Sequence, residues 1–348
     1  MALERVRVLG AVWTVLFGSK YDSNTLGEAV VHMRFVCVGR EFQKFLNVRA
    51  FRRLSGEKVL TKRQLVKVGV LKCGNIASSP LFEFLLDELA DRKNIKTRTV
   101  ATGSKLSVED VEEAIPRLLD FKPDLLVLVS PDLSLPGPSH ARERFSKSRI
   151  PSVAISDVRG KRIKTELEKQ RLGYIIVTGD PLIGARREFL DPVEMAIFNS
   201  NMIKVLAVTG VYRMICQEMD RLINAIQTGP SVDLPEVIID INSIRDNSDF
   251  RNPYAKAKAM AAYEMAEKIA EVNFQACFVE KESELYIPLV ASAHEVAQVA
   301  ARLAEEAREI EKCNDNVVRK PHAKDGRLKA KIKLMLPPTS EEKLRATV

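Results

Sequence analysis

No CxxC pair occurs in this chain: its five cysteines, at positions 37, 73, 216, 277 and 313, stand at least 36 residues apart. That spacing excludes a zinc ribbon, a compact iron–sulfur motif and a redox dithiol. The four histidines, His32, His140, His294 and His322, form no HxxH or HExxH pattern, so no protein-held metal is expected. No strand-like segment runs into G-x-G-x-x-G, and G-x-x-x-x-G-K-[ST] is absent. Neither a nicotinamide motif nor a P-loop is therefore available. Apolar runs are short; Val8–Phe17 falls well below the roughly 20 residues of a spanning helix. The cysteines read as reduced thiols of a cytoplasmic protein, and any chemistry is expected to come from a bound organic cofactor.

What is present is a soluble globular composition, 46% hydrophobic and 29% charged over 348 residues, long enough for two domains. The formal charge of +8 is unevenly placed. Residues 1–65 hold 12 Lys and Arg against five acids, which leaves the remaining 283 residues at only +1. The basic character belongs to an appendage, so nucleic acid is an unlikely partner for the body. Within the appendage, Arg5 and Arg7 before Val8–Phe17 imitate a signal peptide without a convincing cleavage site. Val30–Val38 reads as a strand and Glu41–Leu54 as a basic amphipathic helix. Of three readings (an extra module, a targeting segment, translated upstream sequence), the last is favoured, with Leu65 or Val66 as a non-Met start. The intact mass of the native protein checks it, since a species of 39.0 kDa rules it out.

The body is organised around Val66–Pro80, VKVGVLKCGNIASSP. A buried strand passes through Lys72-Cys73-Gly74-Asn75 into a helix expected from about Ala77 to Asp91. A Gly-containing turn onto a helix N-terminus is an anion and cofactor site by geometry, because the first helical turn presents unpaired N–H groups. Strand Ile95–Ala101 follows, then a helix opened by the capping box Ser107–Asp110, then the apolar run Asp124–Ser130. This βαβαβ order predicts a parallel sheet buried on both faces. Pro131–Pro138, with three Pro and a Gly, is expected to be a stiff loop on the ligand side of the sheet. Strands Ser152–Ser156 and Tyr174–Thr178 flank a short polar helix, Lys164–Gln170.

From about Leu190 the pattern changes to long helices. Asp191-Pro192-Val193-Glu194 is a strong helix start, and the signal runs to about Ile226 with a break near Thr209-Gly210. A turn at 228–230 leads to a short strand, Glu236–Asp240. Helix Tyr254–Glu271, a short strand Phe274–Val279 and helix Tyr286–Cys313 follow. The density of Ala in the last helix predicts close helix packing, inside a bundle or across a subunit interface. Arg319–Leu334 reads as a hairpin turning at Lys324–Arg327. The fold class is thus α/β, a parallel-sheet, Rossmann-like domain (66–183) after the extension (1–65). A helix-bundle domain with short strands (184–316) and a C-terminal hairpin and tail (317–348) complete it.

No catalytic triad, Cys/His pair or carboxylate pair can be assembled from spacing. Cys73 beside Lys72 at a helix N-terminus suits a lowered-pKa nucleophile, but no base is in view, and a small residue permitting close ligand approach is the preferred reading. His294 with Glu295 is either an acid/base pair or two neighbours diverging by about 100° on a helix. Gly184–Leu190 joins Arg186, Arg187 and Glu188 in an expected interdomain hinge, as a site or as a salt-bridge cluster.

The blocks KCGNIASSP (Lys72–Pro80), LDELADR (Leu86–Arg92), LPGPSHARE (Leu135–Glu143), LGYIIV (Leu172–Val177), GARREFLDPVEMAIFN (Gly184–Asn199), NPYAKAKAMAAYE (Asn252–Glu264) and VASAHE (Val290–Glu295) together resemble the coenzyme F420-dependent methylenetetrahydromethanopterin dehydrogenases of methanogenic and related archaea. The resemblance runs from about Val66 to Leu336. It implies an oxidoreductase of archaeal one-carbon metabolism and methanogenesis, a homo-oligomer that uses the deazaflavin coenzyme F420 without metal, flavin or NAD(P). The reaction it implies is reversible hydride transfer between that coenzyme and a tetrahydromethanopterin-type carrier. A non-catalytic pterin- or coenzyme-binding protein on the same fold is the alternative, and a nucleic-acid role for the extension a third.

On this resemblance and the sheet geometry, Lys72, Cys73, Gly74, Asn75, Ser78, Ser79, Thr102, Gly103, Ser130, Pro131, Asp132, Pro138 and Asp157 are assigned to the coenzyme. Phe189, Asn252, Tyr254 and Lys258 are assigned to the pterin. Arg186, Glu188, His294 and Glu295 are assigned to positioning, with no acid/base group. Family members carry an Asn-Pro-Ala-Ala-like stretch at Asp132–Leu135 and a Gly-Asp-Ala-Pro-Gly-like turn at Ser156–Gly160. Both departures lie on the coenzyme edge, where Arg159 adds a potential contact to a phosphate or glutamate tail.

Overall fold

The computed structural model describes residues 3–8, 11–16, 65–87, 92–181, 191–229 and 232–340. The chain divides into two units, Met1–Lys62 and Arg63–Val348. In the first, β1 (Leu3–Val8) and β2 (Ala11–Leu16) pair antiparallel from Leu3↔Leu16 to Val8↔Ala11. The strand expected at 30–38 and the helix expected at 41–54 lie outside the described residues.

The second unit is built on one parallel sheet. Its strands β3 (Val66–Lys72), β4 (Ile95–Ala101), β5 (Leu125–Ser130), β6 (Ser152–Ser156), β7 (Gly173–Val177) and β8 (Glu236–Ile239) lie in the order β4-β3-β5-β6-β7-β8. Strands β5, β6 and β7 are buried at every position, as their unbroken apolar runs require for a sheet covered on both faces. The sixth strand was legible only as a short strand among helices. It pairs Ile175↔Val237 on the β7 edge, so residues from the helical half extend the sheet.

Helices α1 (Ser78–Asp87), α2 (Val108–Leu119), α3 (Pro136–Ser148) and α4 (Lys164–Lys169) connect the strands. Ser107 caps α2 by accepting the Asp110 N–H, as the capping box predicted. Helix α3 corrects the expected stiff loop: Pro136 opens it and Pro138 sits in its first turn, leaving a loop of five residues, 131–135. Proline fits there because first-turn N–H groups have no helical partner to lose. Helix α5 (Pro192–Thr209) starts at Asp191, whose carboxylate accepts the Val193 N–H, and ends at Gly210, φ +107°. Helix α6 (Val211–Thr228) and the short α7 (Ile241–Asn247) precede the antiparallel pair α8 (Pro253–Phe274) and α9 (Ser283–Cys313).

Ala255, Ala259, Ala262 and Ala266 of α8 and Ala293, Ala297, Ala300, Ala301, Ala304 and Ala307 of α9 are buried. These small side chains let the two backbones approach within the chain itself. One apolar core joins the sheet, through Val68, Val127 and Ile175, to Phe198, Met202, Tyr263 and Ala297 of the helices. Residues 275–279, expected as a strand, form a π-helical turn continuing from α8. Five residues of mixed apolar character do not separate the two periods. In the tail, bridges Arg319↔Lys331 and His322↔Leu328 and Gly326 at φ +81° form the expected hairpin.

Candidate functional site

Strand order reverses between β3 and β5, and the crevice beyond their carboxyl ends is where ligands bind in open parallel sheets. The turn after β3 is held from both sides. Cys73 N–H donates to Val129 O, Gly74 N–H to Gly103 O and Thr102 N–H to Lys72 O, all at 2.9–3.0 Å. Gly74 has φ +80°, and a Cβ there would lie 3.0 Å from Pro131 Cδ, so both conformation and space call for glycine. The Cys73 thiol is buried and pushed up to about 12 by that burial. This corrects the lowered-pKa expectation.

The α1 N-terminus is not an open anion cradle. Asp180, fully buried beyond β7, accepts the Ala77 N–H at 2.7 Å and the Ser78 N–H at 3.1 Å. The chain fills that positive end with its own carboxyl, which burial raises to about 7 against the hydrogen bonds from Ser78 and Ala77. Ser78 and Ser79 are buried beneath it, and Ser79 Oγ has no hydrogen-bond partner among the described residues. Lys72 is turned toward Glu83, 3.0 Å away. Gly103 is open: nothing lies within 4 Å of a Cβ placed there.

The loops after β5 and β6 supply the polar centre of this edge. Asp132 Oδ1 accepts Ser134 N–H at 2.8 Å and Oδ2 accepts Arg159 Nη1 at 2.8 Å. Burial raises the Asp132 carboxyl, but the Ser134 and Arg159 hydrogen bonds outweigh it and hold it below the usual range. Asp157, buried and bonded to the Arg159 N–H, is pushed up to about 8 by burial. Ser130 is buried beneath this loop, and Arg142, fully buried, donates to Leu133 O at 3.0 Å and fixes the loop from α3. Arg142 lies inside a quoted sequence block, but nothing in its spacing marked it as a buried loop support. The Arg159 guanidinium lies 3.4 Å from the Phe274 ring centroid, which draws the end of α8 onto the edge.

His294 is buried on α9 and stacks on Phe198 of α5, centroids 4.4 Å apart. Its facing carboxylate is Glu194, at 3.7 Å from Nδ1, whereas the expected partner Glu295 points to solvent. Burial lowers the His294 pKa, partly offset by Glu194. The neutral imidazole is thus the folded form, so stability is present above the unfolded pKa and lost as pH falls through the depressed one. An NMR titration is expected to place the His294 midpoint below the ordinary histidine value, and Glu194→Gln to lower it further.

The edge brings together Lys72–Asn75, Ser78, Ser79, Thr102, Gly103, Ser130–Asp132, Pro138 and Asp157. Asn252, Tyr254 and Lys258 are not with them. Asn252 caps α8 by accepting the Tyr254 N–H, Tyr254 is 77% exposed, and Lys258 pairs with Glu306 at 2.6 Å. They sit at the far end of α8, for Asn252 roughly 30 Å from Phe274 at 1.5 Å per residue. That end borders a cavity of about 740 Å³ walled by Tyr212, Arg213 and Glu311. Arg186, Glu188 and Phe189 lie outside the described residues. No three His, Cys, Asp or Glu side chains converge to hold a metal ion among the described residues.

The sequence profile of methylene-5,6,7,8-tetrahydromethanopterin dehydrogenase matches residues 66–339. The chain belongs to this family. Among family relatives, the F420-dependent methylenetetrahydromethanopterin dehydrogenase of Methanothermobacter marburgensis is 49% identical over 274 residues, covering 79% of this chain and 99% of the relative. Proteins of the same name from Methanocaldococcus jannaschii and Archaeoglobus fulgidus are each 49% identical, over 275 and 274 residues, with the same coverage. A solved family structure, the F420-dependent enzyme in complex with methylene-tetrahydromethanopterin and coenzyme F420, is 48% identical. It superposes with a TM-score of 0.76 over 79% of this chain and 100% of its own.

Proposed function

We propose that the chain catalyses reversible hydride transfer between coenzyme F420 and methylene/methenyl-tetrahydromethanopterin. The observation that carries this reading is the near-complete match to relatives of that activity, 49% identical over 99% of their length. The residues of the edge fit an organic coenzyme. Gly103 leaves open space beside the backbone, and Ser79 Oγ and Arg159 Nη2 are buried without hydrogen-bond partners among the described residues. The turn after β3, Thr102–Gly103 and the loops after β5 and β6 would hold it.

Bound coenzyme F420 supplies the deazaflavin carbon that accepts or returns the hydride. The chain's own contribution is position and charge. Bringing two reacting carbons to about 3–3.5 Å removes most of the entropic part of the barrier. Rigid walls do this here: Pro131 against Gly74, Arg142 beneath Leu133 O, and Asp132 fastened to Ser134 and Arg159. The methenyl carrier is a cation, so fixed positive charge beside it would oppose its binding and its formation from the methylene form. Arg159 is paired with Asp132 at 2.8 Å, and burial pushes the Asp157 carboxyl up to about 8, toward its neutral form.

We assign the pterin contacts to the His294 face of α9 and to residues 186–189, and homo-oligomerisation to exposed faces such as that of Val193 and Ile197 on α5. None of the helices among the described residues is long and apolar enough to cross a membrane, and a cytoplasmic location accords with the reaction. Anaerobic mixing of the protein, coenzyme F420 and methylene-tetrahydromethanopterin tests the activity. Loss of the oxidised deazaflavin absorbance is expected only with both protein and pterin; no loss with folded protein refutes it.

A further inference from the structure

Arg159 sits between a carboxylate and two aromatic rings at the coenzyme edge. Nη1 is fixed by Asp132 Oδ2 at 2.8 Å, and Asp132 is itself fixed by Ser134. Nη2 is buried with no hydrogen-bond partner among the described residues. The guanidinium carbon lies 3.4 Å from the Phe274 ring centroid and 4.7 Å from that of Phe278. Those rings stack on each other at 5.6 Å, and Phe278 is 49% exposed. Phe278 belongs to the π-helical turn Gln275–Val279, a local irregularity that recurs at functional sites.

The space enclosed by Pro131, Asp132, Asp157, Arg159, Phe274 and Phe278 is only about 20 Å³. That admits one water, whereas small-molecule pockets usually measure about 300–1,000 Å³. This corner of the coenzyme edge is therefore filled by an intramolecular cation–aromatic contact whose outer ring, Phe278, is solvent-exposed. A contact of that kind is exchangeable: a second flat ring with an acceptor atom satisfies the same guanidinium face and also its unpaired N–H.

We propose that Arg159 is a coenzyme-positioning residue, and that Phe278 packs against its guanidinium in place of the deazaflavin until the coenzyme displaces it. Binding exchanges the Phe278–Arg159 contact for a coenzyme–Arg159 contact, with Nη2 donating to a carbonyl or phosphate oxygen of the coenzyme. Phe274, deeper and continuous with α8, remains as the platform behind Arg159. The inference rests on the reading of the chain as a coenzyme F420-dependent dehydrogenase.

Equilibrium titration of the full chain with coenzyme F420, followed by the coenzyme's own fluorescence without pterin, tests it. F278A is expected to tighten binding about three- to tenfold, because it removes a competitor worth one exposed to partly desolvated cation–π contact. R159M is expected to weaken binding about tenfold or more. In the double variant the gain from F278A disappears, since the competition acts through the guanidinium. A merely structural role for Phe278 predicts weaker or unchanged binding in F278A, and independent roles predict the same F278A gain with or without Arg159; either result overturns the proposal. If R159M does not fold, R159K, which keeps the charge but loses the planar face, replaces it in the cycle with the same expected loss of the F278A gain. Absence of any coenzyme binding by the unaltered chain would instead count against the functional reading itself.

Discussion

Asp180→Ala is expected to destabilise the Arg63–Val348 unit by roughly 2–5 kcal/mol, because each buried donor left unpaired costs about 1–3 kcal/mol. Two such donors, the N–H groups of Ala77 and Ser78, lose their acceptor at a site that water does not reach. Asp180→Asn keeps an acceptor oxygen in place and is expected to cost far less. The pair separates hydrogen bonding from charge. Burial raises the folded Asp180 pKa to about 7 and that of Asp157 to about 8, both above the unfolded value of roughly 4. The folded state therefore binds more protons across this interval. The stability these groups contribute is fully present below about pH 4 and is lost as pH rises through 7 and 8. Urea unfolding is expected to show a lower midpoint at pH 9 than at pH 6, with a smaller difference in Asp180→Asn.

Gly137→Ala has the second large expected effect. A Cβ there would stand 2.5 Å from Ser107 O and 2.6 Å from Leu106 O, both backbone atoms. Gly137 N–H also donates to Leu106 O at 3.0 Å, so the α3 N-terminus is pressed onto the segment that caps α2. Neither side can yield by rotating a side chain. Overpacking of this kind costs about 1–3 kcal/mol and sometimes more, and the relief available is to move α3 away from Leu106. That motion carries the 131–135 loop with it, since Arg142 of α3 holds Leu133 O. We expect a loss of about 3 kcal/mol in urea unfolding and at least a tenfold weaker coenzyme titration. Unchanged binding in a destabilised variant would show that the loop is not part of the coenzyme edge.

Much of this was legible before any coordinates, for identifiable reasons. Uninterrupted runs such as Leu125–Ser130 can only be strands buried on both faces, and the caps at Ser107, Asp191 and Asn252 announce their helices by residue type. The turn at Lys72–Asn75 was readable because its glycine is required. What escaped reading depends on distant partners. Asp180 lies about a hundred residues from the amides it accepts, so no local spacing shows that the anion cradle is already filled. Helix α3 was hidden by its two prolines, which mark a loop by composition yet are tolerated in a first turn. The 275–279 segment was misread because its conformation follows from α8 and from Arg159 packing on Phe274, not from its own period. His294 was read beside its sequence neighbour Glu295, but its facing carboxylate, Glu194, comes from α5, a hundred residues earlier. The separation of Asn252, Tyr254 and Lys258 from the coenzyme edge is a property of helix length, which a motif block does not express.

The central claim is that the chain moves a hydride directly between two carbons by positioning them, with no protein acid or base in that step. The most direct measurement uses methylene-tetrahydromethanopterin deuterated at its methylene carbon, with oxidised coenzyme F420 in ordinary water. Mass spectrometry of the reduced coenzyme is predicted to find one substrate-derived deuterium on the deazaflavin ring. Reduced coenzyme carrying only solvent hydrogen at that carbon would contradict the account.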